Sequence, residues 1–279
     1  MHASKPTTTD NLQYHTHTGP GDIAEFCLFV GAQGRAKMIA EIFFTSDYNC
    51  FENEHRGLLA YTGYYKGVRV SVATSGMGGP SAGIIMPELA RCGARVIIRV
   101  GSCGSLVEES KPGESIIVDS ALRYDGASNN WVSPDYPLMV KANDRVVWAL
   151  IEAAQKVNPS ACYVGQEATT GCFNAGQGRP DIYGNIPPHM LKRHEDIMEE
   201  GEVFCYSMEA ATVFTWCLEV GLGMPAGAIN AIYANRHTGE WGTIGDEEAA
   251  RIAIEAIVLL STDVETLETI NNINVPYSV

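Results

Sequence analysis

Short apolar runs that read as strands alternate along this chain with segments of helical period, and a glycine-rich turn marks most of the junctions. Residues 25–31 (EFCLFVG) read as a strand, and 34–44 (GRAKMIAEIFF) as a helix entered through a glycine turn. The cycle repeats in GVRVSVATSG and PSAGIIMPELARCG, where Gly93 is placed to end the helix. Strands ARVIIRVG and ESIIVDSAL follow, then helix VVWALIEAAQKV, strand CYVGQEATTG and the polar helix PPHMLKRHEDIMEEG behind two prolines. The apolar helix MEAATVFTWCLEVG, strand AGAINAIYANR and one amphipathic stretch, DEEAARIAIEAIVLLSTDVETLETI, complete the pattern. Such alternation specifies an α/β fold of three layers, α/β/α, with a mostly parallel sheet covered on both faces. No linker, repeat or low-complexity segment divides it, so one catalytic-sized domain is expected over 21–279, behind a polar, flexible N-terminal tail at 1–20.

The charge balance narrows the partners. Lys and Arg number 19 against 33 Asp and Glu, a net −14, which disfavours nucleic acid and anionic membrane surfaces. The eight cysteines form no CxxC pair and several sit in apolar runs, as expected of reduced thiols in a cytoplasmic protein. No apolar run has the length of a membrane span, and the first residues lack a signal-peptide pattern.

Against that acidic background, one strand breaks a rule. Arg99 lies within the buried-looking run RVIIRVGSCG, and a guanidinium without an anion is costly to bury. In open α/β sheets the ligand site lies beyond the carboxyl ends of the strands. Three such ends carry glycine-rich turns here: VGAQGR, TSGMGGPSAG and RVGSCG. The segment Gly76-x-Gly78-x-x-Ser81 matches part of a dinucleotide fingerprint, but the acidic residue that should grip a ribose is missing and Arg99 occupies that region. No P-loop is present. A small oxyanion fits better: backbone N–H groups at Gly31, with Arg35, Arg99 and the Ser102 hydroxyl, would converge on one tetrahedral anion.

On these segments the chain resembles the nucleoside phosphorylase-I family, from about Phe26 to Ile257. The segments that carry the likeness are VGAQGRAKMIAEIF, SGMGGPSAGI, RVGSCGSL and SMEAATVF, in that order. The likeness implies a partly barrel-like mixed sheet and phosphorolysis of a nucleoside, with inorganic phosphate as co-substrate and no organic cofactor. It implies phosphate binding by Gly31, Arg35, Arg99 and Ser102, and by Arg56 reaching a neighbouring subunit. Met208 would pack on the ribose and Glu209 would accept its hydroxyls, while His15, or His17 beside it, would reach a neighbour's sugar. Two departures stand out: the family's Asp-Pro is Ala32-Gln33, and the first Glu of its ExE segment is Ser207.

Within the family, a Gln-x-Arg pair after an aromatic-containing loop marks members that act on uridine. Here these are Gln177 and Arg179, with Phe173 placed to stack on the ring. Uracil presents two carbonyl acceptors and one N–H donor, which a glutamine amide and a guanidinium complement. Purine members place an Asp in the late strand, where this chain has Asn235 and Arg236, the latter expected at the uracil edge. The expected reaction is therefore uridine plus phosphate to uracil and ribose 1-phosphate, with Arg99, Glu209 and Arg179 as its principal catalytic groups. Purine phosphorolysis, hydrolysis by a nucleosidase of the same fold, and simple nucleoside binding are the competing expectations. Shared sites imply a homo-oligomer, a dimer or a hexamer of dimers. Some relatives use a Glu after the residue matching Arg56 to hold an interface metal, but Gly57 stands there, leaving only Glu52 and Glu54 nearby.

Overall fold

A computed structural model describes residues 6–273. In chain order the elements begin β1 (Phe26–Val30), α1 (Gln33–Phe43), β2 (Asn49–Asn53), β3 (Leu58–Tyr65), β4 (Val68–Thr74), α2 (Gly79–Cys92), β5 (Val96–Ser105) and β6 (Ser115–Tyr124). They continue with β7 (Met139–Lys141), α3 (Asp144–Val157), β8 (Cys162–Thr170), α4 (Pro188–Glu200), β9 (Val203–Ser207), α5 (Ala210–Thr215), β10 (Ala226–Asn235), α6 (Asp246–Leu260) and α7 (Val264–Asn272).

All ten strands form one mixed sheet. β1 lies between β4 and β5, parallel to both, and every one of its residues is buried. Side chains alternate across a strand, so β1 and β5 supply two cores. Leu28, Val30, Ile98 and Val100 join the core beneath α1, α3 and α6, while Cys27, Phe29 and Ile97 join the one shared with α2 and α5. Arg99, two residues beyond Ile97, therefore emerges on the α2 and α5 side.

The far half of the sheet closes on itself. β5 pairs with β10 in parallel and with β9 antiparallel. β10–β6, β6–β8 and β8–β9 complete a five-membered ring, giving the expected three layers a barrel-like half. No helix among the described residues is long and apolar enough to cross a membrane.

Several local expectations need correction. RVGSCG is not a turn: β5 runs on to Ser105, because Gly101 through Ser105 find partners along β10 and then β9. The C-terminal amphipathic stretch is two helices, broken where the Asp263 carboxylate accepts from the Thr266 N–H and caps α7. The apolar helix after Glu209 is α-helical only to Thr215 and continues as a π-helical turn, Trp216–Val220.

The described part of the expected flexible tail is held in place, with residues 1–5 of it outside the described region. Gln13, Thr16 and Thr18 are buried, Thr7 bridges Gln13, and the Thr18 hydroxyl donates to Cys92 Sγ. Four strands (β2, β3, β7, β9) had no counterpart in the sequence pattern. β2 is a largely exposed edge strand of mixed polarity, and β7 is only three residues long.

Candidate active site

A cavity of about 520 Å³ opens where the Gly31 and Gly76 turns meet the barrel. It is lined by Gly31, Arg35, Arg99, Ser102, Phe173, Gln177, Arg179, Met208 and Glu209, so residues spread over most of the chain are brought to one place.

At its cationic end, Arg99 is 6% exposed. Its guanidinium donates from Nη1 to Asn230 Oδ1 at 2.6 Å and pairs through Nη2 with the Glu209 carboxylate. The other Glu209 oxygen accepts from the Gly78 N–H at 2.6 Å, at the entry to α2. Gly101 leaves the space for this: a Cβ there would fall on Arg99 Nη1 and Asn230 Oδ1. Burial works against the charge on Arg99, but Glu209 and Glu167 outweigh it and raise its pKa above the ordinary arginine value.

Arg35 is held from three sides. Its Nη1 donates to the Val100 carbonyl at 3.1 Å, and its Nη2 to Tyr233 Oη at 3.0 Å and Asp246 Oδ1 at 2.9 Å. Its Nε is buried without a partner. The Ser207 hydroxyl, which also lines the cavity, is likewise buried and unpartnered.

The other end is built on the loop after β8. Arg179 stacks over Phe173 with its guanidinium carbon 4.2 Å from the ring centroid, and donates to the Phe173 carbonyl at 2.9 Å. Arg179 also donates to Gln177 Oε1, whose Nε2 donates to Thr170 Oγ1 at 3.2 Å. The amide is thus oriented before any ligand arrives. Burial, with the nearby charge of Arg236, lowers the Arg179 pKa to about 10. Among the described residues neither arginine has a carboxylate within ion-pair distance, so this end favours an incoming negative charge. Gly101 abuts Arg99, and Gly104 lies 3.5 Å from Arg179 Nη2 by its would-be Cβ. The two clusters are thus three strand residues apart, about 10 Å.

Other expected site residues lie elsewhere. Arg236 does not line the cavity; it sits behind, donating to the Gln177 carbonyl at 2.9 Å with its guanidinium 5.9 Å from the Tyr206 ring centroid. Asn235 is equally committed. Its amide donates to the Val107, Glu108 and Ser110 carbonyls, and its oxygen accepts from the His237 and Thr238 N–H groups. Arg56 and His15 are not brought to the cavity by this chain's own fold. Arg56 is exposed, 5.5 Å over the Tyr14 ring, and His15 Nδ1 lies 2.7 Å from the Glu88 carboxylate. Asn53 donates to the carbonyls of both Tyr14 and His15, so the two groups share one face of the molecule.

Tyr206, Tyr233, Glu167 and Asn230 were missed in the sequence. Tyr206 lines the cavity and shares a 2.9 Å hydrogen bond with His194 on α4. Glu167 is fully buried on β8, and burial raises its carboxyl pKa despite the opposing pull of Arg99. The signal that could have found Glu167 and Asn230 is the one that exposed Arg99, a polar side chain inside a strand closed to water.

No group of three or more His, Cys, Asp or Glu side chains among the described residues is arranged to hold a metal ion. Gly57, where some relatives have a Glu ligand, instead gives its carbonyl to Gln33 Nε2. That position therefore supplies no carboxylate in this chain.

Residues 25–264 match the family model described as the phosphorylase superfamily. The chain belongs to that superfamily. It is 38% identical over 259 residues, 93% of this chain and 90% of the relative, to the uridine phosphorylase of Thermococcus kodakarensis. Identity with the uridine phosphorylase of Escherichia coli is 32%, covering 72% of this chain and 80% of the relative. A DeoD-type purine nucleoside phosphorylase from Xenorhabdus nematophila is 32% identical, over 88% of this chain and 97% of that protein.

Proposed function

We propose that the protein catalyses the reversible phosphorolysis of uridine, giving uracil and ribose 1-phosphate in the salvage of pyrimidines. The observation that carries this is the joining of two clusters in one cavity: Arg35, Arg99 and the Gly31 turn at one end, Phe173, Gln177 and Arg179 at the other. The names of the Thermococcus and Escherichia relatives support the same reading. The committed amide of Asn235 speaks against the purine alternative, because no carboxylic acid stands there to protonate a purine nitrogen.

In the proposed reaction phosphate, held by Arg35, Arg99, Ser102 and the Gly31 N–H, attacks C1′ from the face opposite the base. The C1′–N1 bond breaks as the C1′–O bond forms, and positive charge grows on the sugar ring. Glu209 accepts the ribose hydroxyls and offsets that charge, while Met208 packs against the sugar. The bonding pair leaves with uracil, and the Gln177 amide with the Arg179 guanidinium takes up the resulting negative charge, as an oxyanion hole does. Phe173 and the stacked Arg179 form one wall for the ring. Arg236 acts through Gln177, fixing its backbone. Holding both reactants in line supplies much of the remaining acceleration.

Arg56 and His15 complete the site of a neighbouring copy in this proposal, Arg56 at phosphate and His15 at the sugar. The working unit is then a homo-oligomer with shared sites. The expected setting is the cytoplasm, where the eight free thiols stay reduced. The test is uracil release from uridine by purified protein, with and without inorganic phosphate. Release only with phosphate, with ribose 1-phosphate formed, supports the proposal. Equal release without phosphate would make the protein a hydrolase, and no release from uridine but release from inosine would make it a purine enzyme.

A further inference from the structure

The polar groups behind Arg99 form a continuous chain of hydrogen bonds. The Ala211 N–H donates to Thr169 Oγ1 at 2.9 Å, and the threonine O–H donates to Glu167 Oε1 at 2.6 Å. The Ala210 N–H reaches the same oxygen at 3.3 Å. Asn230 Nδ2 donates to Glu167 Oε2 at 2.8 Å, and Asn230 Oδ1 accepts from Arg99 Nη1 at 2.6 Å. Glu167, Thr169 and Asn230 are all fully buried.

A primary amide has one accepting and one donating end, and a buried mismatch at either is expensive. Three donors converge on Glu167 and no acceptor does, a set of contacts that satisfies a carboxylate and works against the burial that raises its pKa. A carboxylate on one side and a guanidinium on the other leave Asn230 a single orientation, with its oxygen towards Arg99. Ser207, at the place of the family's first ExE glutamate, contributes no charge. The second carboxylate beside Arg99 comes instead from the adjoining strand, where Glu167 lies opposite Cys205 of β9, two residues before Ser207.

We propose that Glu167 is a positioning residue for phosphate binding: through Asn230 it fixes the plane of the Arg99 guanidinium. The inference rests on the phosphorylase reading, in which Arg99 holds phosphate. Glu167 lies outside the cavity lining, and Asn230 carries its effect to Arg99.

The test is a pair of substitutions that reverses one link. In E167Q the new amide keeps its oxygen towards Thr169 and Ala210 and turns its NH₂ on the NH₂ of Asn230, which must flip and face Arg99 with a donor. The KM for phosphate should rise about tenfold, the cost of one mismatched hydrogen bond to a charged group, while the KM for uridine stays within about twofold and the thermal midpoint within a few degrees. N230D alone sets two carboxylates against each other and should also raise the phosphate KM. The double variant, E167Q with N230D, satisfies every link. The amide at position 167 then donates to the carboxylate at position 230, and that carboxylate accepts from Arg99. It should return the phosphate KM to within about threefold of the parent. A merely structural role for Glu167 would not be rescued in this way.

An unchanged phosphate KM in E167Q, or losses that simply add in the double variant, would overturn the proposal. Should E167Q not fold, N230D is compared with the double variant, and a higher phosphate KM in the double variant overturns it equally. Phosphate-dependent release of uracil by the parent protein separates the two levels of argument: its absence sinks both this proposal and the function, whereas a failed rescue in an active phosphorylase sinks only the role of Glu167.

Discussion

Replacing Gly101 with alanine puts one methyl group where the fold has left none to spare. The new Cβ would coincide with Arg99 Nη1 and crowd Asn230 Oδ1, so the guanidinium must leave its slot. Arg99 and Glu209 are both nearly buried, with side-chain exposures of 7% and 6%, and water cannot replace what either loses. Breaking a buried pair of this kind costs about 3–5 kcal/mol. Both charges survive in this variant and can keep some of their partners, so about 3 kcal/mol is the better expectation. For a chain of this size that is a fall in thermal midpoint of roughly 6–12 °C. The phosphate KM should rise more than about tenfold at the same time if Arg99 holds phosphate as proposed.

Gly104→Ala is the matched control three residues on. Its Cβ would meet Arg236 Cδ at 3.4 Å and Arg179 Nη2 at 3.5 Å, which is ordinary contact. That variant should lose less than about 1 kcal/mol, the usual range for a change that creates neither a cavity nor a clash. Urea unfolding followed by circular dichroism, with initial rates over a phosphate series, reads both effects. A Gly101→Ala protein with the parent's midpoint and a phosphate KM within about twofold would refute the slot argument.

Other expectations follow from the same geometry. Arg179→Ala should reduce uridine turnover on the order of 10²-fold while leaving the thermal midpoint nearly unchanged, since the role assigned to it is charge stabilisation in the transition state. Mixing inactive Arg56→Ala and Arg179→Ala chains under conditions of subunit exchange should restore about a quarter of parental activity if each site takes Arg56 from its neighbour. No recovery in verified mixed oligomers would place both residues in one chain's site. Acid stability offers a third check at Asp263, whose carboxyl is held at about 2 by the hydrogen bond from Arg145, helped by Thr266. A folded-state pKa below the ordinary 3.8 means this stabilisation is present at neutral pH and is lost as pH falls from about 4 towards 2. Asp263→Asn should therefore flatten the loss of stability over that interval; an unaltered acid profile would show that the ion pair contributes nothing there.

Much of this architecture was legible because α/β folds repeat one signal. Strands β1, β4, β5 and β10 are apolar over most of their length and closed on both faces, so their composition needs no context to be read. Strands β2 and β9 offer no such signal: the first is an edge strand, mostly exposed, and the second is five residues held by neighbours far away in sequence. Arg99 was legible for the converse reason, as a charge in a place that forbids an unpaired one. Its immediate partner, Glu209, required the family resemblance, and its further support did not emerge at all. Glu167 and Asn230 stand in strands 63 residues apart, and only the closed ring of strands sets them against each other. The end of β5 misled for the same reason: a glycine-rich segment looks like a turn until two other strands are found beside it.

β5 is shared between the open sheet and the closed ring, and this has a consequence for how the protein comes apart. A molecule built as two adjoining modules could open one and keep the other. Here the first half of β5 is clamped by β1, and its last residues by β9, with β10 alongside from Ile97 to Ser105. Releasing either half pulls on a strand the other cannot spare. Amide hydrogens along Ile97–Ser105 should therefore exchange together and only through global opening, which makes the strand that carries Arg99 the slowest-exchanging stretch of the molecule rather than one of its mobile parts.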